Sequence, residues 1–175
     1  TEKFSDEPIT GKVYGYFGEV KPYKKVYIGN LIIGKKVGRW VGYYHSTGKK
    51  EFEENWKDGK RDGLSTLWYE NGQRKGEVNY KDGKEDGLHT FWYDNGQKSW
   101  EETWKNGKPD GLQTWWSENG QKDREVHLKD GKRDGLQTDW YETGHKKFEG
   151  TFKDGKRDGL YTRWYENGQK RNEGN

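Results

Sequence analysis

The chain has 175 residues, 27% hydrophobic and 36% charged, and on composition alone it would fall among disordered proteins. Ten Trp and twelve Tyr, recurring at fixed spacing, exclude that class, because each buried aromatic removes roughly 150 to 250 Å² from water. The net charge of +3 comes from interleaved basic and acidic residues, which argues against nucleic acid as a partner, and the absence of cysteine excludes disulfides and thiolate metal sites.

Residues 1–25 do not share the period that organises the rest of the chain. Val13 to Phe17 and Val26 to Ile28 read as an irregular pair of strands, the kind of segment that caps a repeat array. The longest apolar run, Leu31 to Ile33, is far short of the roughly 20 residues of a membrane span. A chain opening on Thr1 in place of Met fits a removed export signal as well as trimming, so cytoplasmic and periplasmic or exported locations both stand.

From about Val26 a register begins. Gly34, Lys35, Lys36 and Gly38 match the turn at 59 to 63, and Tyr43 to Gly48 form a unit with one residue inserted before its glycine. Beyond it the period is 24 residues: Gly63, Gly87, Gly111, Gly135 and Gly159 form one column, and Trp68, Trp92, Trp116, Trp140 and Trp164 another. Within a unit Leu64, Thr66 and Trp68 alternate on one side, a period of two rich in Thr and aromatics, which predicts a strand. Asn71-Gly72, Asn95-Gly96, Asn119-Gly120 and Asn167-Gly168 supply positive-φ residues for a tight hairpin turn.

A second strand follows, with Gly76, Val78 and Tyr80 facing one way and Lys75, Glu77 and Asn79 the other. The polar set reads as a solvated face. Its column Glu53, Glu77, Glu101, Glu125 and Glu149 is better explained by pairing with nearby Lys than by a catalytic or metal-binding ladder. Hairpins are joined by Asp-Gly-Lys-x-x-Gly, with Pro109 in one copy, as a turn tolerates. Lysine inside each such loop, and spacing unlike a calcium loop, set the cation reading aside. The chain ends at Asn175 just after a hairpin turn, which predicts a short last strand and an open sheet edge.

The expected fold is therefore all-β, an elongated single-layer antiparallel meander of β-hairpin repeats, with residues 1–25 as a cap and 26–175 as the array. Units of this size cannot bury a core alone and must stack.

The pattern Asp-Gly-x-x-x-Gly-Leu-x-x-x-Trp-Tyr-x-Asn-Gly-Gln, followed by a Glu-containing polar strand, resembles the MORN repeat variant. It is most similar to the bacterial proteins grouped as YwqK-type antitoxins, over about residues 26 to 175. The resemblance implies an extended meander of hairpins. It also implies neutralisation of a cognate toxin by direct binding, and related MORN arrays are described as protein scaffolds or membrane-associated modules.

A uniform column reports structure, so partner contacts are expected where units differ. On the first strand that row is Leu67, Phe91, Trp115, Asp139 and Arg163, flanked by Tyr69, Tyr93, Ser117, Tyr141 and Tyr165 on one side and by Ser65, His89, Gln113, Gln137 and Tyr161 on the other. If the sheet is single-layered, this row is a protein-binding stripe with an apolar and a charged half; if sheet twist folds the face on itself, Phe91 and Trp115 are core. The four histidines, His45, His89, His127 and His145, occupy unrelated repeat positions, and no catalytic constellation, metal site or cofactor is expected. The first functional reading is a non-catalytic antitoxin or immunity protein that binds a cognate toxin or effector. The alternatives are a cell-surface choline- or glycan-binding array, in which Trp and Tyr cage a cation or stack on sugars, and a MORN-type membrane scaffold, to which interleaved charge gives little attraction.

Overall fold

The computed structural model describes residues 9–17 and 24–175. Its strands, in chain order, are β1 (Gly11–Phe17), β2 (Lys24–Ile32), β3 (Lys35–Tyr43), β4 (Lys50–Lys57), β5 (Lys60–Arg61), β6 (Gly63–Trp68), β7 (Arg74–Lys81), β8 (Lys84–Glu85), β9 (Gly87–Trp92), β10 (Lys98–Lys105), β11 (Lys108–Trp116), β12 (Lys122–Lys129), β13 (Lys132–Trp140), β14 (Lys146–Lys153), β15 (Lys156–Trp164) and β16 (Lys170–Gly174). All 16 form one open sheet in which spatial order is chain order, except that the short β5 and β8 pair with β4 and β7 off that path. The pairing is antiparallel throughout, so the chain is the all-β hairpin meander its period predicts. β1 pairs with β2, while residues 1–8 and 18–23 of the expected cap lie outside the described residues.

Two kinds of turn alternate and both close hairpins, but the tightest turn is not at the expected position, Asn71-Gly72. The two-residue hairpin turns are the Asp-Gly loops, with Asn106-Gly107 in one copy. Asp58 and Gly59 have φ of 50° and 80°, and the copies at 82, 106, 130 and 154 repeat this, the paired positive dihedrals of a type I′ turn. The Asn-Gly loops are one residue longer. Only Gly72 is at positive φ; its N–H donates to the Tyr69 carbonyl and the Asn71 Oδ1 accepts from the Gln73 N–H at 2.9 Å, giving a type I turn closed by a left-handed glycine. The remaining glycine column makes bulges: Gly63, Gly87, Gly111, Gly135 and Gly159 have φ between 88° and 129°, and a Cβ on Gly111 would sit 3.1 Å from that of Thr103.

Neighbouring units are clasped at both ends. The Tyr44, Tyr69, Tyr93 and Tyr141 hydroxyls donate to the carbonyls of Trp68, Trp92, Trp116 and Trp164 at 2.6 to 2.9 Å. At the other end Asp62, Asp86, Asp110 and Asp134 accept from the backbone N–H of the next turn, at Asp82, Asn106, Asp130 and Asp154. That is what the last aspartate of the first four Asp/Asn-Gly-x-x-Asp-Gly stretches does.

Because the sheet has one layer, each face makes its own shallow core. On the first face a ladder crosses the array from strand to strand, pairing Val41 with Glu53, Glu53 with Thr66, Thr66 with Glu77, Glu77 with Thr90, and on to Glu173. Thr90, Thr114 and Thr138 are buried within it. Each Glu meets the Lys or Arg three residues before it, as in Arg74 with Glu77 and Lys170 with Glu173, both at 2.8 Å. Residues three apart on a plain strand point to opposite faces; the bulge at each strand start, as between Lys98 and Trp100, restores them to one face. The leucine column of this face is not core. Leu64, Leu88, Leu112, Leu136 and Leu160 are 40 to 71% exposed, which corrects its expected structural role: with no second layer above it, nothing covers it.

Candidate functional site

The second face carries Leu67, Phe91, Trp115, Asp139 and Arg163 together with the alternate residues of the second strands, Gly76, Val78, Trp100, Glu102, Arg124, Val126, Phe148 and Phe152. The flank expected to belong to the contact stripe is instead its most buried part: Ser65 is 5%, His89 2% and Gln137 7% exposed. Long neighbours lie flat over that flank. The His89 ring stacks on Trp104 with centroids 5.4 Å apart, and its Nε2 contacts the Asn79 carbonyl at 3.2 Å. Burial holds the His89 pKa below its usual value, against the opposing effects of the Asn79 carbonyl and Glu85. Glu102, at 1% exposed, accepts from the Trp104 indole and the Gln113 amide, and burial pushes its pKa up.

Tyr69 and Tyr93, the other flank, are the inter-unit clasps described above, with Lys75 lying 5.5 Å from the centroid of the Tyr69 ring. Ser117 interrupts this column. Its Oγ bonds within its own turn, to Asn119 Oδ1 at 2.6 Å, and a notch of about 260 Å³ opens between Tyr93 and Tyr141. Among the described residues no tyrosine hydroxyl reaches the Trp140 carbonyl there.

In the row itself, Leu67, Phe91, Trp115 and Asp139 are half-buried and Arg163 is exposed. Much of the variation along it is matched by the neighbouring strand. Phe91 stacks on Trp100 at 5.0 Å and lies over Gly76, where a Cβ would be 2.7 Å from its ring. Asp139 is held by the Arg124 Nε at 2.8 Å and by the Gln137 amide at 3.0 Å. Trp115 lies between Trp100 and Arg124 in register. Trp100 carries a buried indole N–H without a hydrogen-bond partner.

Toward the C-terminal end the compensation stops. A cavity of about 400 Å³ opens on this face, lined by Gln137, Asp139, Phe148, Phe152 and a set of cations, Arg133, Lys147, Arg157, Arg163 and Arg171. Arg133 lies 4.1 Å from the centroid of the Phe152 ring and Arg157 4.6 Å from that of Tyr161. Asp139 is the cavity's one carboxylate and is already occupied. The Arg column was not singled out among the expected contacts, although the alternation of Arg61, Glu85, Pro109, Arg133 and Arg157 along the array was there to be read.

No cluster of His, Cys, Asp or Glu among the described residues has the arrangement of a metal site. Residues 61–82, 109–130, 133–154 and 157–175 match the MORN repeat variant. The matched stretches coincide with hairpin units of the sheet, the first three ending in the next type I′ turn, at Asp82, Asp130 and Asp154. A MORN repeat match suggests a repeat module that binds other molecules, and MORN repeats can mediate binding to proteins or to membranes. Neither this repeat nor its all-β fold is known as an enzyme. No curated protein matches the chain.

Proposed function

We propose that the chain is a non-catalytic protein-binding module of the antitoxin or immunity type, which neutralises a cognate toxin or effector by direct contact through the face bearing Leu67, Phe91, Trp115, Asp139 and Arg163. The observation that carries this reading is the grading of that face. One end is an aromatic stretch of half-buried Phe91, Trp100 and Trp115, and the other is an open cavity ringed by cations that have no acidic partner among the described residues. Aromatic and Arg side chains are the groups that dominate protein interfaces. Tyr69 and Tyr93 belong to the proposed site as supports, since their hydroxyls tie the units that carry the row to one another.

The test is co-expression with the product of a toxin gene adjacent to the coding sequence. Rescue of growth together with a stable complex is expected; a chain that forms no complex and rescues no cells from such a toxin would overturn the reading.

A second reading rests on the opposite face. Its exposed leucines, Leu64 to Leu160, form a stripe of evenly spaced apolar side chains beside a row of Lys, a pattern that suits a flat lipid surface. Co-sedimentation with anionic liposomes, lost in Leu88→Ser/Leu112→Ser, would favour a membrane scaffold. The first reading expects no co-sedimentation.

A further inference from the structure

The repeat itself shows what belongs beside the arginines of the C-terminal cavity. In the unit around β4 and β5, Arg61 has a counter-ion: its guanidinium meets the Glu54 carboxylate at 2.7 Å, and Glu54, 6% exposed, also accepts from the Trp56 indole at 2.9 Å. Arg133 and Arg157 occupy the same repeat position as Arg61, and the residues equivalent to Glu54 are Val126 and Gly150. The carboxylate has been lost twice while the guanidinium has been kept. Arg133 bonds only the Gln137 amide oxygen, at 3.2 Å, and Arg157, Arg163 and Arg171 have no acidic partner among the described residues, being held over Tyr161, Phe148 and Tyr165. Elsewhere the contrast is plain, since the ladder cations of the opposite face each have a Glu.

We infer that this cavity is a carboxylate-recognition site, built to receive Asp or Glu side chains presented by an acidic segment of a partner protein. The inference rests on the protein-binding reading above and adds the chemistry of the partner. Guanidinium groups lying on aromatic rings are pre-oriented, weakly hydrated and free to form paired N–H···O bonds, so they lose little on binding a planar carboxylate. A volume of about 400 Å³ takes two such side chains, and Asp139, tied to Arg124 and Gln137, marks the acidic limit of the site.

The probe is an acetylated, amidated hexaglutamate peptide titrated into the whole chain by isothermal calorimetry at low salt, with hexaglutamine and inorganic phosphate as comparisons. Hexaglutamate should bind and hexaglutamine should not. Arg157→Ala/Arg163→Ala should weaken hexaglutamate at least tenfold, while Arg74→Ala, which removes an exposed cation from the opposite face, should leave it unchanged. Val126→Glu supplies the missing counter-ion internally at a column position that carries Glu54 and Glu102, and should also weaken the peptide, with a melt confirming that the variant folds. Equal losses in Arg74→Ala and in the double variant would mean diffuse charge attraction and overturn the inference, as would phosphate binding as tightly as the peptide. The outcome is independent of the toxin test: hexaglutamate can fail while a protein partner still binds through the aromatic half, and the peptide can bind when no toxin does.

Discussion

Filling the gap in the tyrosine column should stabilise the array by an amount the other units already set. In Ser117→Tyr the new hydroxyl can reach the Trp140 carbonyl, as Tyr93 and Tyr141 reach Trp116 and Trp164 at 2.7 and 2.9 Å. A hydrogen bond of this kind is worth about 1 kcal/mol. The ring would cover the notch between Tyr93 and Tyr141, and removing on the order of 50 Å² of apolar surface from water adds about 1 kcal/mol. The sum, about 2 kcal/mol, corresponds to a rise in Tm of roughly 4 to 8 °C for a chain of this length. Where Tyr69, Tyr141 and Tyr165 occupy this position, Lys75, Lys147 and Arg171 lie over the rings at 5.4 to 5.6 Å, whereas Asp123 stands beside Ser117. Ser117→Tyr/Asp123→Lys should therefore gain roughly a further 0.5 to 1 kcal/mol. Calorimetric melts of both variants and of Ser117→Phe separate the parts, because phenylalanine fills the notch without the hydroxyl. A Ser117→Tyr protein no more stable than wild type, or Phe and Tyr variants melting together, would refute the clasp.

Gly111→Ala should cost about 1 to 3 kcal/mol, since its φ of 129° belongs to glycine and a Cβ would press on Thr103, while Gly144→Ala, with open space around it, should cost about 1 kcal/mol; parallel denaturant melts compare them. His89 sets a pH dependence. Its folded pKa lies below the ordinary 6.5, so the unfolded chain takes up the proton first and stability falls as pH drops from about 6.5 through the folded value. His89→Gln, the residue at 113 and 137, should abolish that fall in melts compared between neutral and mildly acidic pH. Glu102 acts oppositely: its folded pKa is raised above 4.5, so the folded state binds the proton first and acidification through that window stabilises it, an effect Glu102→Gln should remove.

The hairpin array was legible because a Leu-Thr-Trp alternation and glycines every 24 residues each have one structural use. The turn types were not, because Asn-Gly and Asp-Gly carry the same left-handed preference; what separates them is loop length, set by where strands β6 and β7 stop pairing. The exposure of Leu64 and its copies was hidden for a different reason, since an apolar column is core only if a second layer covers it. Within the row, the matching of Asp139 to Arg124 and of Phe91 to Gly76 depends on cross-strand register, which no single column displays. The missing counter-ions of Arg133 and Arg157 were legible in principle, by setting the column of Glu54 beside that of Arg61.

The central claim is that a protein partner is bound by the face carrying the variable row. Calorimetric affinity for the proposed protein partner tests it, measured for Leu67→Ser/Trp115→Ser on that face and for Leu88→Ser/Leu112→Ser on the other, with melts confirming that each variant folds. The account predicts a loss of at least thirtyfold, about 2 kcal/mol, in the first pair and none in the second. An unchanged affinity in the first pair, or a loss confined to the second, would contradict it.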